Sequence, residues 1–271
     1  MRIVSMVFAS AAFAFAAVSA SAGPVNVVPG GSNVAGKSIG QWTADWWNWV
    51  VSAPKPGDPL SDTSGANANV NQSGPVFFVA GTTTGGTAVT RSFQVPGDKY
   101  VLFPLLNVVV FNGPDPGFAS TVAESKALVD NYNPSRLFAT IDGTAVTDIA
   151  SRRERSPDNF AVRPMANNVL GAPAQTFTDG SSDGYWVMLA PLGSGSHTIH
   201  FGGSHDAFTG PGGLFTDQAF SVDVTDQITV AGSSAVPLPT AVWPGLATLA
   251  ALVCLGVVRG RRRGAPARQV A

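Results

Sequence analysis

Apolar and polar residues alternate most cleanly near the end of the body of this chain. Phe220, Val222, Val224, Ile228 and Val230 interleave with Ser221, Asp223, Thr225 and Thr229. A period of two with one apolar face predicts a half-buried strand. Asp226 interrupts the apolar face and is read as a bulge or bend. Similar short runs, bounded by Gly, Pro, Asn and Asp, predict strands at Val76–Ala80, Val89–Val95, Tyr100–Phe111, Leu137–Ile141, Ala145–Ile149, Tyr185–Ala190 and His197–Phe201. Tyr100–Phe111 is apolar on both faces, which makes it a central strand with Pro104 at a bulge or bend. Asp142-Gly143 is the two-residue signal of a tight hairpin. The pattern predicts a mainly β fold, an antiparallel β-sandwich of jelly-roll or Ig-like type.

Two stretches change to a helical period. Ser38 and Gln41 form a capping box, and Ile39, Trp42, Trp46, Trp49 and Val50 then share one face until Pro54. These rings are expected to plug one end of the sandwich, with Trp47 off the face and exposed. Thr121 and Glu124 open a second helix, to about Tyr132, before Pro134. Both helices are short and belong at the periphery.

The two ends of the chain follow neither pattern. Arg2 precedes an apolar run from Ile3 to Val18 and then Ala20-Ser21-Ala22, the order of parts in a signal peptide cleaved before Gly23. From Thr240 to Val258 there is no charged residue, a length of about 19 residues against the roughly 20 that cross a hydrocarbon core. Arg259, Arg261, Arg262, Arg263 and Arg268 follow, and positive charge beside a span stays on the cytoplasmic side. The expected organisation is a signal peptide at 1–22, an exported domain at 23–232, a linker with a sorting motif at 233–239, a transmembrane helix at 240–258 and a basic cytoplasmic tail at 259–271.

Val236-Pro237-Leu238-Pro239-Thr240, followed by a span and arginines, resembles the PEP-CTERM class of bacterial sorting signals in its VPLPA-type variant. Leu238 stands where the more familiar form has glutamate, and Thr240 where the variant has alanine. The resemblance implies an integral-membrane, exosortase-like enzyme that cuts at Val236–Thr240 and passes the protein to the outer surface. Arg259, Arg261, Arg262 and Arg263 would act as the stop-transfer signal. The expected partners are signal peptidase, that processing enzyme and the membrane.

Charge is partitioned in the same way. Between Gly23 and Ala235 there are ten Lys and Arg against seventeen Asp and Glu, a net charge of −7 hidden by the whole-chain value of −1. An acidic body repels phosphate backbones, which argues against nucleic acid as a partner. The single cysteine, Cys254, lies in the span, so the exported domain carries no disulfide. Its stability must come from a core.

Candidate chemistry in the body is sparse. His197, His200, His205 and Asp206 crowd one window, but in a strand His197 and His200 point to opposite faces. His200, His205 and Asp206 remain metal candidates, on the expectation that Gly202-Gly203 is a turn. Gly180-Ser181-Ser182-Asp183-Gly184 carries the letters of the hydrolase elbow, yet reads as a loop leading into a strand rather than strand, elbow and helix. Asn67, Asn69 and Asn71, with Asp58 and Asp62, read as Asx turns more readily than as a calcium loop. Arg152-Arg153-Glu154-Arg155 reads as a solvated loop, and Asp98, Asp115, Asp142 and Asp183 as turn carboxylates. No P-loop, dinucleotide or zinc-helix motif occurs, so no cofactor is expected.

The Trp42–Trp49 cluster, Ser73–Gly81, Val95–Lys99 with Phe103-Pro104, and Gly184–Leu189 through His197–Gly203 together resemble a group of exported bacterial proteins with no assigned activity. Some of those relatives carry cysteines at the positions of Ala68 and Ser92, which implies that the Ala68 loop lies beside the strand Val89–Val95. Two function classes follow. One is a non-enzymatic surface or matrix protein with extracellular polysaccharide as candidate ligand. The other is a secreted glycan-active enzyme, which would need two carboxylates facing each other across a cleft.

Overall fold

The computed structural model describes residues 25–111, 121–209 and 216–231. The stretch 1–22 read as a signal peptide, Asp115, Val236–Thr240 read as a sorting motif, the stretch 240–258 read as a span, and Arg259–Arg263 lie outside them. Among the described residues no helix is long and apolar enough to cross a membrane.

In chain order the elements are β1 (Asn33–Val34), β2 (Lys37–Ser38), α1 (Ile39–Val50), β3 (Val76–Phe78), β4 (Val89–Val95), β5 (Tyr100–Val110), α2 (Val122–Asp130), β6 (Arg136–Ile141), β7 (Thr144–Ala145), β8 (Arg153–Arg155), β9 (Phe160–Val162), β10 (Phe177–Leu189), β11 (Gly195–His205), β12 (Phe208–Thr209), β13 (Thr216–Asp217) and β14 (Phe220–Val230). The fold is mainly β, with two short helices. One sheet has the order β3-β5-β10-β8, with β9 also on β10, and the other β4-β14-β11-β6-β7. Both are mixed rather than antiparallel, because β3 runs parallel to β5 and β4 parallel to β14.

The facing sides of the two sheets share one core, in which Phe103 and Phe201 meet at 4.8 Å. The opposite side of the β5–β10 sheet carries a second core, built from Phe78, Leu102, Trp186 and Met188 with the tryptophans of α1. β5 is therefore covered on both faces, as its unbroken apolar run requires. The register slips beside Pro104, leaving Leu105 as the extra residue of a bulge that accommodates the proline.

α1 begins as the sequence predicts, with Ser38 and Gln41 completing the capping box. It does not plug an end of the sandwich, because it lies across a sheet face. Trp47 is buried, not exposed, with its indole N–H donating to Ser182 Oγ at 2.9 Å. Gly40 admits this approach, since a Cβ there would lie 2.1 Å from the Arg155 carbonyl oxygen.

Asp142 (φ 51°) and Gly143 (φ 78°) form the expected hairpin between β6 and β7. The strand expected at Ala145–Ile149 is only Thr144–Ala145, and residues Ile149–Ser151 form a 3₁₀ turn. β10 and β11 are longer than expected. Gly180–Gly184 is the middle of a strand, where a Cβ on Gly184 would lie 2.7 Å from the Leu106 carbonyl oxygen. Gly202-Gly203 is likewise strand and not a turn, and a Cβ on Gly202 would lie 1.9 Å from the Val222 carbonyl oxygen.

Candidate functional site

An open groove of about 680 Å³ lies beside α1. Its floor is formed by Trp42, Trp49 and Phe78, whose ring centroids lie 6.3 Å (Trp42–Phe78) and 5.7 Å (Trp49–Phe78) apart. All three rings are buried, and Trp42 and Trp49 are fixed by indole N–H donation to the Val34 and Val70 carbonyls. They offer an apolar base rather than free stacking platforms. The rims are polar: Asp45, Asn48 and Ser52 come from α1 and its end, Asn71 and Ser73 from the loop before β3. Lys37 donates to Asp45 at 2.6 Å, and its ammonium lies 4.7 Å from the Trp42 ring centroid. Asn71 donates to the Ser52 carbonyl and hydroxyl, joining the two rims.

An apolar base edged by amides, hydroxyls and one carboxylate suits a polyhydroxylated ligand with apolar C–H patches. Among the described residues, Asp45 is the sole carboxylate lining the groove. A glycan hydrolase needs a second.

The loop that supplies Asn71 is held by Asx turns. Asp58 accepts from the backbone N–H groups of Leu60 and Ser61, and Asp62 from those of Ser64, Gly65 and Asn67. Burial pushes the Asp62 carboxyl up, but these bonds together outweigh it and hold its pKa below the usual range. The Ser92 N–H donates to the Ser64 carbonyl at 3.0 Å, so the loop lies beside β4.

Arg152–Arg155 is not a solvated loop. Arg152 and Glu154 are buried, and Arg153 and Arg155 both donate to Asp183, which is buried in mid-strand and not at a turn. Arg155 also pairs with Asp130, which ties β8 and β10 to α2. The hydrogen bond and charge of Asp183 hold the Arg153 guanidinium above its ordinary pKa. Burial likewise pushes the Glu154 carboxyl up, against donation from Gly31 N–H and the charge of Arg152. With its carboxylate taken up by two guanidiniums, Asp183 is a structural group. Ser182 is buried in mid-strand, so the Gly180–Gly184 letters form neither the expected loop nor a strand-to-helix elbow.

The histidines do not converge. His197 is buried, with its ring nitrogens 2.8 Å from Asp142 and 2.9 Å from the Gly193 carbonyl. His200 lies on the opposite face, 2.9 Å from Asp223. β11 continues unbroken to His205, which therefore points inward, away from His200, and packs edge-on to Tyr132 at 5.2 Å. Asp206 follows the strand. No metal-holding group of three occurs among the described residues.

Sequence reasoning noticed both the tryptophan cluster and the Asn67–Asn71 loop but not their meeting. The two rims lie about twenty residues apart, and no local pattern encodes the approach. No protein family matches the chain, and neither a curated protein nor a solved structure matches it significantly.

Proposed function

We propose that this chain is an exported surface or extracellular-matrix protein whose β body binds extracellular polysaccharide without turning it over. The groove over Trp42, Trp49 and Phe78 carries the binding part, because it sets hydrogen-bonding rims at either side of an apolar base. The body is a β-sandwich variant in this reading, although its parallel pairs separate it from an all-antiparallel jelly-roll or Ig-like sheet pair. The binding part is tested by titrating a panel of soluble polysaccharides into the secreted protein. Replacing Asp45 and Asn71 together by Ala removes polar partners from both rims, and is expected to weaken binding about tenfold. Equal affinity in the double variant contradicts the groove assignment.

Delivery rests on the tail. Val236–Thr240, the apolar stretch to Val258 and the arginines from Arg259 support a PEP-CTERM-like route, in which an exosortase-like enzyme cuts near Pro237–Thr240 after signal peptidase has removed 1–22. Until then the segment 240–258 anchors the protein with its body outside the cytoplasm. Mass spectrometry of the cell-surface form is expected to find a C-terminus within or near Val236–Thr240. A surface form that still contains Arg259–Ala271 contradicts the processing step.

A further inference from the structure

The charges around the groove point to the kind of polysaccharide. Six of the ten cations of the body are ion-paired: Lys37 with Asp45, Arg91 with Asp226, Lys126 with Asp158, Arg152 with Asp148, Arg153 with Asp183, and Arg155 with Asp183 and Asp130. Lys55, Lys99, Arg136 and Arg163 form no ion pair among the described residues. Arg136 lies on the other sheet, over the ring of Phe138 at 4.6 Å.

Two of the others border the groove. Lys99 Nζ donates to the carbonyl of Gly74, a lining residue, at 2.6 Å. The Arg163 backbone N–H donates to the lining side chain of Asn48 at 3.0 Å, and its own side chain is exposed. Lys37 supplies a third cation, inside the groove. Asp45 lines the groove but is paired with Lys37, and Asp98 adjoins Lys99 in the turn before β5. Lys99 and Arg163, neither in an ion pair among the described residues, give the margin of the groove a positively charged strip on a body of net charge −7. An anionic chain is repelled by most of that surface and drawn to the strip.

We infer that the groove takes an acidic polysaccharide, a chain bearing uronate or similar anionic groups, with its anions met by Lys99 and Arg163 and its hydroxyls by Asp45, Asn48 and Asn71. Guanidinium and ammonium groups recognise carboxylate through charge-assisted hydrogen bonds. The inference rests on the saccharide-groove reading above and adds the charge of the ligand.

The test titrates polygalacturonate and alginate, with dextran as the neutral counterpart, into the secreted protein. The uronates are expected to bind at least tenfold more tightly than dextran, and to weaken several-fold as salt rises from about 50 to about 500 mM. Lys99→Ala with Arg163→Ala should reduce uronate binding by about fivefold to tenfold. Lys126→Ala, which removes a cation paired with Asp158, neither residue lining the groove, should leave it unchanged. Dextran bound as tightly as the uronates, without salt dependence, overturns the acidic preference and leaves the saccharide groove standing. Uronate binding that ignores Lys99→Ala/Arg163→Ala also overturns it. Binding of neither class overturns the saccharide reading itself.

Discussion

Replacing Arg91 by Met is expected to cost about 3–5 kcal/mol of folding stability, because it strips a buried carboxylate of its counterion. Arg91 and Asp226 are both essentially inaccessible, and pair through Nε–Oδ1 at 2.8 Å and Nη2–Oδ2 at 3.1 Å. The guanidinium also donates to the Ala80 and Gly81 carbonyls, so it fastens the segment after β3 to β4 and β14. Burial pushes the Asp226 carboxyl up while Arg91 pulls it down, with burial prevailing. Without Arg91 the upward push is opposed far less. A raised folded-state pKa favours the protonated form, so the deficit relative to wild type is largest at neutral and alkaline pH. It shrinks as pH falls through that raised value towards the ordinary carboxylate range. Arg91→Met with Asp226→Leu removes both charges and should recover most of the loss. Urea denaturation of the three forms across pH checks this; a single variant within about 1 kcal/mol of wild type at neutral pH contradicts it.

Trp46→Ala should be comparably damaging, at about 3–5 kcal/mol, equivalent to a melting temperature lower by roughly 10 °C in a domain of this size. The Trp46 ring is fully buried, 5.0 Å from Trp47, 6.1 Å from Trp49 and 5.2 Å from Trp186, and its N–H donates to the Val79 carbonyl at 2.9 Å. It is the centre of the second core. Trp186 supplies the control, because its buried indole N–H has no partner among the described residues. Phe at position 186 sacrifices no hydrogen bond, whereas Phe at position 46 orphans the Val79 carbonyl, so Trp46→Phe should be the costlier change. Thermal melts that rank the two Phe variants the other way contradict this account of the core.

The strands that were legible are those whose neighbours match their own alternation. β14 and β4 carry an apolar inner face and a polar outer one, and both form with the predicted bounds. The failures share a cause, namely polar residues buried by partners remote in sequence. Asp226 is in regular pairing with β11, without a bulge, because Arg91 neutralises it from 135 residues away. Ser182 and Asp183 resemble a loop until Trp47, Arg153 and Arg155 are brought onto them. Trp47 was misplaced for the complementary reason: a helical period describes one buried face, and α1 is covered on two sides. The groove was illegible because its base and one of its rims come from different segments, each of which has an ordinary structural explanation alone.

The central claim is that saccharide binds over Trp42, Trp49 and Phe78. Backbone and indole NMR shifts of the secreted protein, followed while a soluble uronate oligosaccharide is titrated in, test it most directly. The account predicts saturable shifts concentrated on Lys37, Asp45, Asn48, Asn71 and Gly74 and on the Trp42 and Trp49 indole N–H signals, with the outer face of the β4–β14–β11 sheet undisturbed. Saturable shifts confined to that outer face, or none at concentrations where binding is otherwise detected, would contradict it.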